Sequence, residues 1–134
     1  MTPVLDAWAV LTFFRGERAA GRVEELISST PTLISSINLG EVLYWTIRER
    51  GQRAADGMMD SLRRAVMVED PDWPLVHAAA RIKAGGGLSY ADAFCVATAQ
   101  RHNAPLYTGD PEILALTDIV ELVDLRAPQT SPSP

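Results

Sequence analysis

Residues 89–110, SYADAFCVATAQRHNAPLYTGD, decide how the rest of the chain is read. Tyr90 to Gln100 has the marks of a helix. Ser89 stands where its hydroxyl caps the third amide, Asp92 falls three residues later, and the stretch stops before Pro105, which cannot continue a helix. Pro105 to Tyr107 is then a short apolar run between turn residues, which predicts a buried strand. It leads through Thr108 and Gly109 to Asp110-Pro111, an N-cap with proline at the first helical position. A helix that feeds a strand ending on an acid is one unit of an α/β fold.

The same unit recurs on either side. Val4 and Leu5 form a short strand before Asp6, and Thr32 to Ser35, Val66 to Val68 and Ile119 to Val123 are further strands, five in all. Helical spacing marks Trp8, Leu11 and Phe14, then Arg18 to Ile27, Leu39 to Arg50 stopped by Gly51, Ala54 to Ala65, and Leu75 to Lys83. Alternation of this kind predicts a mostly parallel sheet flanked by helices. The expected domain is 1–127, with 128–134 an unstructured tail.

Composition narrows the function. At 134 residues, 47% hydrophobic and 22% charged, the chain suits one domain and is too short for two. The longest stretch without charge, Leu26 to Gly40, carries Pro31 and six hydroxyls, so no membrane span is expected. Asp6 precedes the first apolar run where a secretory signal would be positive, and one cysteine, Cys95, makes no intrachain disulfide. A cytoplasmic protein fits both facts. Seventeen acids against 12 bases, net -5, argue against a broad basic face for duplex DNA.

In an open parallel sheet, ligands collect beyond the carboxyl ends of the strands. Asp6, Asp110 and, at the start of the helix after the second strand, Glu41 are placed there; Asp92 opens the helix before the fourth strand. Each has an ordinary explanation as a cap: Asp6 and Asp110 as N-caps, Ser89/Asp92 and Asn38/Glu41 as capping boxes. Capping, however, does not require four helices to bring their acids to one edge. Two carboxylates ~5 Å apart repel by about 3 kcal/mol at an effective dielectric of 20, so such a cluster calls for a cation. All-oxygen ligands select Mg²⁺ or Mn²⁺ over zinc.

Val4-Leu5-Asp6, Asn38-Leu39-Gly40-Glu41-Val42, Leu88-Ser89-Tyr90-Ala91-Asp92-Ala93 with Ala97-Thr98-Ala99, and Thr108-Gly109-Asp110-Pro111-Glu112 resemble, in order and spacing over about residues 3 to 125, the four acidic motifs of PIN-domain ribonucleases, and in particular the VapC toxins of bacterial toxin–antitoxin pairs. The resemblance implies a PIN-like three-layer α/β/α fold and Mg²⁺- or Mn²⁺-dependent endonucleolytic cleavage of RNA by Asp6, Glu41, Asp92 and Asp110 as metal ligands. Thr108 would orient Asp110, with Asn38 in a similar supporting role, and Glu112 is a candidate for a second metal, against an alternative as a solvated acid in a first helical turn. It further implies a VapB-like antitoxin lying in a groove near the acids, a homodimer, and a DNA contact that belongs to the antitoxin. A small polar residue commonly follows the first aspartate in this family; here Ala7 and then Trp8 stand there, and Trp8 is expected in the core.

Arg15 and Arg81 are the candidate contacts to an RNA backbone, against an alternative as solvated helix residues. The Gly85-Gly86-Gly87 run reads as a flexible substrate-side loop or a linker. Trp45, Leu43 and Ile47 form an apolar face for core or dimer. A metal-free ribonuclease would need two histidines on one phosphate, and His77 and His102 are placed on separate helical segments. A phospho-accepting domain would want an acidic pair after the first strand and a lysine after the last; the chain has Asp6-Ala7, and its one lysine is Lys83. The remaining alternative is a non-catalytic PIN-fold scaffold that binds a partner, against which the intact acidic quartet argues.

Overall fold

The computed structural model describes residues 2–128. Its strands are β1 Val4–Leu5, β2 Leu33–Ser35, β3 Met67–Glu69, β4 Leu106–Thr108 and β5 Leu122–Asp124, and they form one all-parallel sheet in the order β3-β2-β1-β4-β5. Connecting them are α1 Ala7–Phe14, α2 Ala20–Ser29, α3 Ser36–Arg50, α4 Gln52–Ala65, α5 Trp73–Ala84, α6 Tyr90–Arg101 and the short α7 Pro111–Leu114. Pro128 apart, the tail expected at 128–134 lies outside the described residues.

Side chains alternate across a strand, and here both faces are covered. Val4, Leu33 and Leu106 pack with Cys95, Val96 and Ala99 of α6. Leu5 and Ile34 point the other way, into a core with Val10, Val23, Met59 and Leu62 from α1, α2 and α4. Two apolar faces on one sheet account for the three layers, and for why the strands read as continuous apolar runs. Leu5, Ile34 and Leu106 are fully buried.

The strands after the first begin later than the sequence pattern suggests, for local reasons. The Val66 N–H still bonds to the Leu62 carbonyl and so closes α4. Pro105 has no N–H to pair, and its carbonyl accepts from Val4 at 2.9 Å. Ile119 is 43% exposed and its carbonyl is taken by the Gln100 side chain, leaving β5 to start at Leu122.

A larger difference concerns α3. It begins at Ser36 rather than Leu39, with the Ser35 hydroxyl accepting from Ile37 N at 3.3 Å. Asn38 and Glu41 are therefore inside the helix, and the capping-box explanation for that pair does not hold.

From β1 the chain runs outward through β2 to β3, then returns to lay β4 and β5 on the other side of β1. The connections thus diverge between β1 and β4, the switch point where a parallel sheet opens a crevice at its carboxyl edge.

Candidate metal centre

Asp6 and Asp110 stand on the two sides of that switch point. Asp6 follows β1 and caps α1, one oxygen accepting from Ala9 N at 2.8 Å, and it is 1% exposed. Asp110 follows β4 and caps α7, with Oδ1 accepting from Glu112 N at 2.8 Å. Both acids are N-caps, as their sequence positions allow. Thr108 joins them: its hydroxyl donates to Oδ2 of Asp6 and accepts from the Asp110 amide at 2.9 Å. The hydroxyl expected to orient Asp110 thus holds its backbone and, in addition, orients the carboxylate of Asp6.

The other acids arrive from α6 and α3. The Ser89 hydroxyl accepts from Asp92 N at 3.1 Å, one half of a capping box, while the Asp92 carboxylate is turned toward α7. Asp92, Asp110 and Glu112 each present an oxygen within 4.8 Å of the others. Glu112, expected only as an additional ligand, therefore belongs to the tightest group, and Asp6 and Glu41 stand outside it. Glu41 lies in the second turn of α3 with Oε1 buried and without a donor. Fully buried Asn38 donates to the Ala91 carbonyl at 2.9 Å, pinning α3 to the start of α6, and its own Oδ1 is likewise without a donor.

The charges feel one another. Burial pushes the Asp6 carboxyl up to about 7; the hydrogen bonds from Thr108 and Ala9 oppose this, and the charges of Asp92 and Asp110 add to it. Asp92 rises to about 6, chiefly by burial and then through Asp110, with Ser89 opposing and Glu41 and Glu112 adding. Glu41 is also raised, by burial first, eased by the neighbouring Asn38 amide and raised again by Asp110. No cation is among the causes acting on these three.

The residues fit a hard divalent ion. The donors are all carboxylate oxygens, one of them buried without a partner. Ligands on Mg²⁺ are about 3 Å apart when adjacent and about 4.2 Å when opposite, so a group within 4.8 Å would close by roughly one to two ångströms around the ion or reach it through water.

Thr108→Val tests the hydroxyl bridge. Valine keeps the shape but leaves a buried Asp6 oxygen without its donor, which costs about 2 kcal/mol. Urea unfolding of the metal-free variant at pH 8 should show that loss.

The sequence profile of the PIN domain matches residues 4–119, spanning all four acidic motifs. The chain belongs to the PIN domain family. Solved structures agree on the PIN fold. VapC20 of Mycobacterium tuberculosis, described as a sarcin-ricin loop cleaving toxin, is 23% identical with a TM-score of 0.72, covering 90% of this chain and 98% of that one. DNA-bound VapBC from Salmonella typhimurium gives 17% identity and a TM-score of 0.75, over 93% and 98%. VapBC-1 of nontypeable Haemophilus influenzae gives 17% and 0.74, over 95% and 100%. At such identities the likeness concerns the fold. A search of curated protein sequences gives no match.

The other residues singled out occupy several parts of this PIN domain. Arg15 is the C-cap of α1, at the end opposite Asp6, with its guanidinium on Glu49 and near Glu17. Arg81 is exposed on α5 beside a shallow cavity lined by Ile82, Gly86, Leu88 and Leu116. The triple-glycine turn is closed by Lys83, whose Nζ donates to the Leu88 carbonyl at 2.7 Å, and Gly86 and Gly87 have the positive φ that favours glycine. Cys95 is buried, and His77 and His102 are far apart in role: one edge-on to Trp73, the other bonded to Glu69. Trp8 packs half-buried on the core, as expected. No described helix is long and apolar enough to cross a membrane.

Proposed function

We propose that this PIN domain is a Mg²⁺- or Mn²⁺-dependent endoribonuclease that hydrolyses RNA phosphodiester bonds and acts as the toxin of a type II toxin–antitoxin system. The observation that carries the reading is the gathering of Asp92, Asp110 and Glu112 within 4.8 Å, in one electrostatic field with Asp6 and Glu41. The VapC and VapBC neighbours of the same fold favour it.

Asp92 and Asp110 would hold the ion, with Glu112 beside them and Asp6 and Glu41 completing the set directly or through water. Bound there, the ion supplies a more acidic water and neutralises charge on the leaving oxygen. The chain's own residues do the rest. Thr108 fixes the Asp6 carboxylate and the Asp110 backbone with one hydroxyl, Asn38 fixes α3 against α6, and burial of Asp6 keeps bulk water from that side. Arg15 and Arg81 are retained as peripheral contacts to the RNA backbone.

A VapB-like antitoxin is the proposed partner. Besides the acidic edge, the groove formed by Phe13, Phe14, Ile27, Met58 and Leu62 at the far end of α1 offers an apolar seat of about 500 Å³ for an amphipathic segment. A second copy of the chain is the other partner, with exposed Tyr44 and Trp45 on α3 as its contact face. Direct reading of DNA is left to the antitoxin, in keeping with the net charge of -5. The site of action is the cytoplasm.

Sequencing of RNA ends after incubating cellular RNA with the protein tests the reaction and the substrate together. Defined new ends should appear with Mn²⁺ and vanish in excess EDTA. Cleavage that persists in EDTA would end the metal-dependent reading, and no new ends under any condition would favour the binding scaffold.

A further inference from the structure

Trp8 and Gly109 meet at the switch point, and nothing in the acidic quartet accounts for them. Trp8 lies between Asp6 and Ala9, the acid and the amide it caps; Gly109 lies between Thr108 and Asp110. A Cβ added to Gly109 would overlap Cη2, Cζ2 and Cε2 of the Trp8 indole. The indole therefore rests directly on the glycine α-carbon. Gly109 is not among the glycines with positive φ, so its backbone would accept any L residue and only the ring requires glycine there. At this end β1 and β4 also part: the bond from Val4 N to Pro105 is 2.9 Å, that from Asp6 N to Tyr107 is 3.5 Å.

We propose that Trp8 is a positioning residue whose indole, seated on Gly109, sets how closely the Thr108–Asp110 turn approaches Asp6 and so sets the spacing of the metal ligands. The proposal rests on reading this pocket as a metal centre. The Thr108 hydroxyl pulls the two segments together and the flat ring limits their approach. With the ring gone, the polar link alone does not define the separation; with a methyl group added at 109, the turn that carries Asp110 is pushed outward. A hydroxyl at the position after Asp6 would act by hydrogen bonding, and Ala7 cannot. The ring supplies the definition by shape.

Gly109→Ala, Trp8→Ala and the double variant test this, read by Mn²⁺ titration calorimetry, by kcat and KM for RNA cleavage, and by thermal unfolding without metal. Gly109→Ala should lower Mn²⁺ affinity and kcat at least tenfold each while KM for RNA stays within threefold. Trp8→Ala should lower Mn²⁺ affinity three- to tenfold. In the double variant the cost of the methyl group vanishes, and affinity should return to within threefold of Trp8→Ala alone. A purely structural contact would lower the melting temperature and leave Mn²⁺ affinity of the folded protein unchanged. Parental affinity in Gly109→Ala, or a double variant as weak as Gly109→Ala, overturns the proposal while leaving the metal reading intact. Should Gly109→Ala fail to fold, Trp8→Ala decides, with parental affinity as the overturning result. A parent protein that takes up no Mn²⁺ overturns the metal reading and this proposal with it.

Discussion

Asp92→Asn is expected to lose RNA cleavage by at least about a thousandfold and, without metal at pH 8, to be more stable than the parent. The two effects have one cause. Asp92 is the acid that Asp110, Glu41 and Glu112 all act upon, and burial with those neighbours holds its carboxyl up near 6. At pH 8 the folded parent must nonetheless carry the charge. The amide is nearly the same size and carries none, so the metal-free variant gains about 1–2 kcal/mol after allowance for solvent screening of a partly buried group. Cleavage moves the other way, because the same charge is what would hold a divalent ion; losing one carboxylate ligand at about 4 kcal/mol of transition-state stabilisation is a thousandfold in rate. Urea unfolding and an RNA cleavage assay on one preparation check both. A variant that cuts RNA at the parental rate would sink the enzymatic reading, and growth arrest retained on expression would point to the scaffold instead. A variant that is inactive but less stable would show that Asp92 is a structural cap and not a strained ligand.

The sequence carried the fold because both of its signals are local. Short apolar runs ending in acids and helices stopped by Gly51 or Pro105 require no knowledge of distant contacts, and five parallel strands followed. Errors arose where backbone pairing is set from afar. Nothing in Val66 says that its amide finishes α4, and nothing near Leu39 says that Ser35 captures the helix start three residues earlier. At the site, the four motif acids were legible because each sits at a helix start or one turn in. Thr108 is legible as a support for Asp110, its closest acid in sequence, and it does hold the Asp110 backbone; that the same hydroxyl also reaches across the β1–β4 gap to Asp6 depends on strand pairing and leaves no local pattern. Glu112 could not be separated from a solvated acid until α7 turned it toward Asp92. The contact between Trp8 and Gly109 spans a hundred residues and leaves no pattern in either segment.

Stripped of divalent metal, the protein should lose stability as pH rises from about 4 to about 7, the reverse of the usual behaviour of a carboxylate held by a cation. Asp6 titrates near 7 in the folded chain against 3.8 for an ordinary aspartate. Between those values the folded state holds a proton that the unfolded state has lost, so each step upward in pH favours unfolding. The stabilising contribution of protonated Asp6 is fully present below 3.8 and gone above about 7. For a group this buried it amounts to the order of 4 kcal/mol, and Asp92 adds a smaller part that is spent by about pH 6. Mn²⁺ acts against the slope. It binds the ionised acids only, so its affinity should rise about tenfold per pH unit between 6 and 7, more steeply below 6 where Asp92 holds a proton as well, and level off above 7, and at a hundred times its dissociation constant it returns about 2.7 kcal/mol. The measurement is urea unfolding at pH 5 and pH 8, each with EDTA or with Mn²⁺: stability lower at pH 8 in EDTA, and the difference narrowed or inverted with the metal. Asp6→Asn should flatten the EDTA series, because the buried group that changes charge is no longer there. An EDTA series that instead climbs with pH would mean that Asp6 is ionised at low pH through a partner other than Thr108 and Ala9.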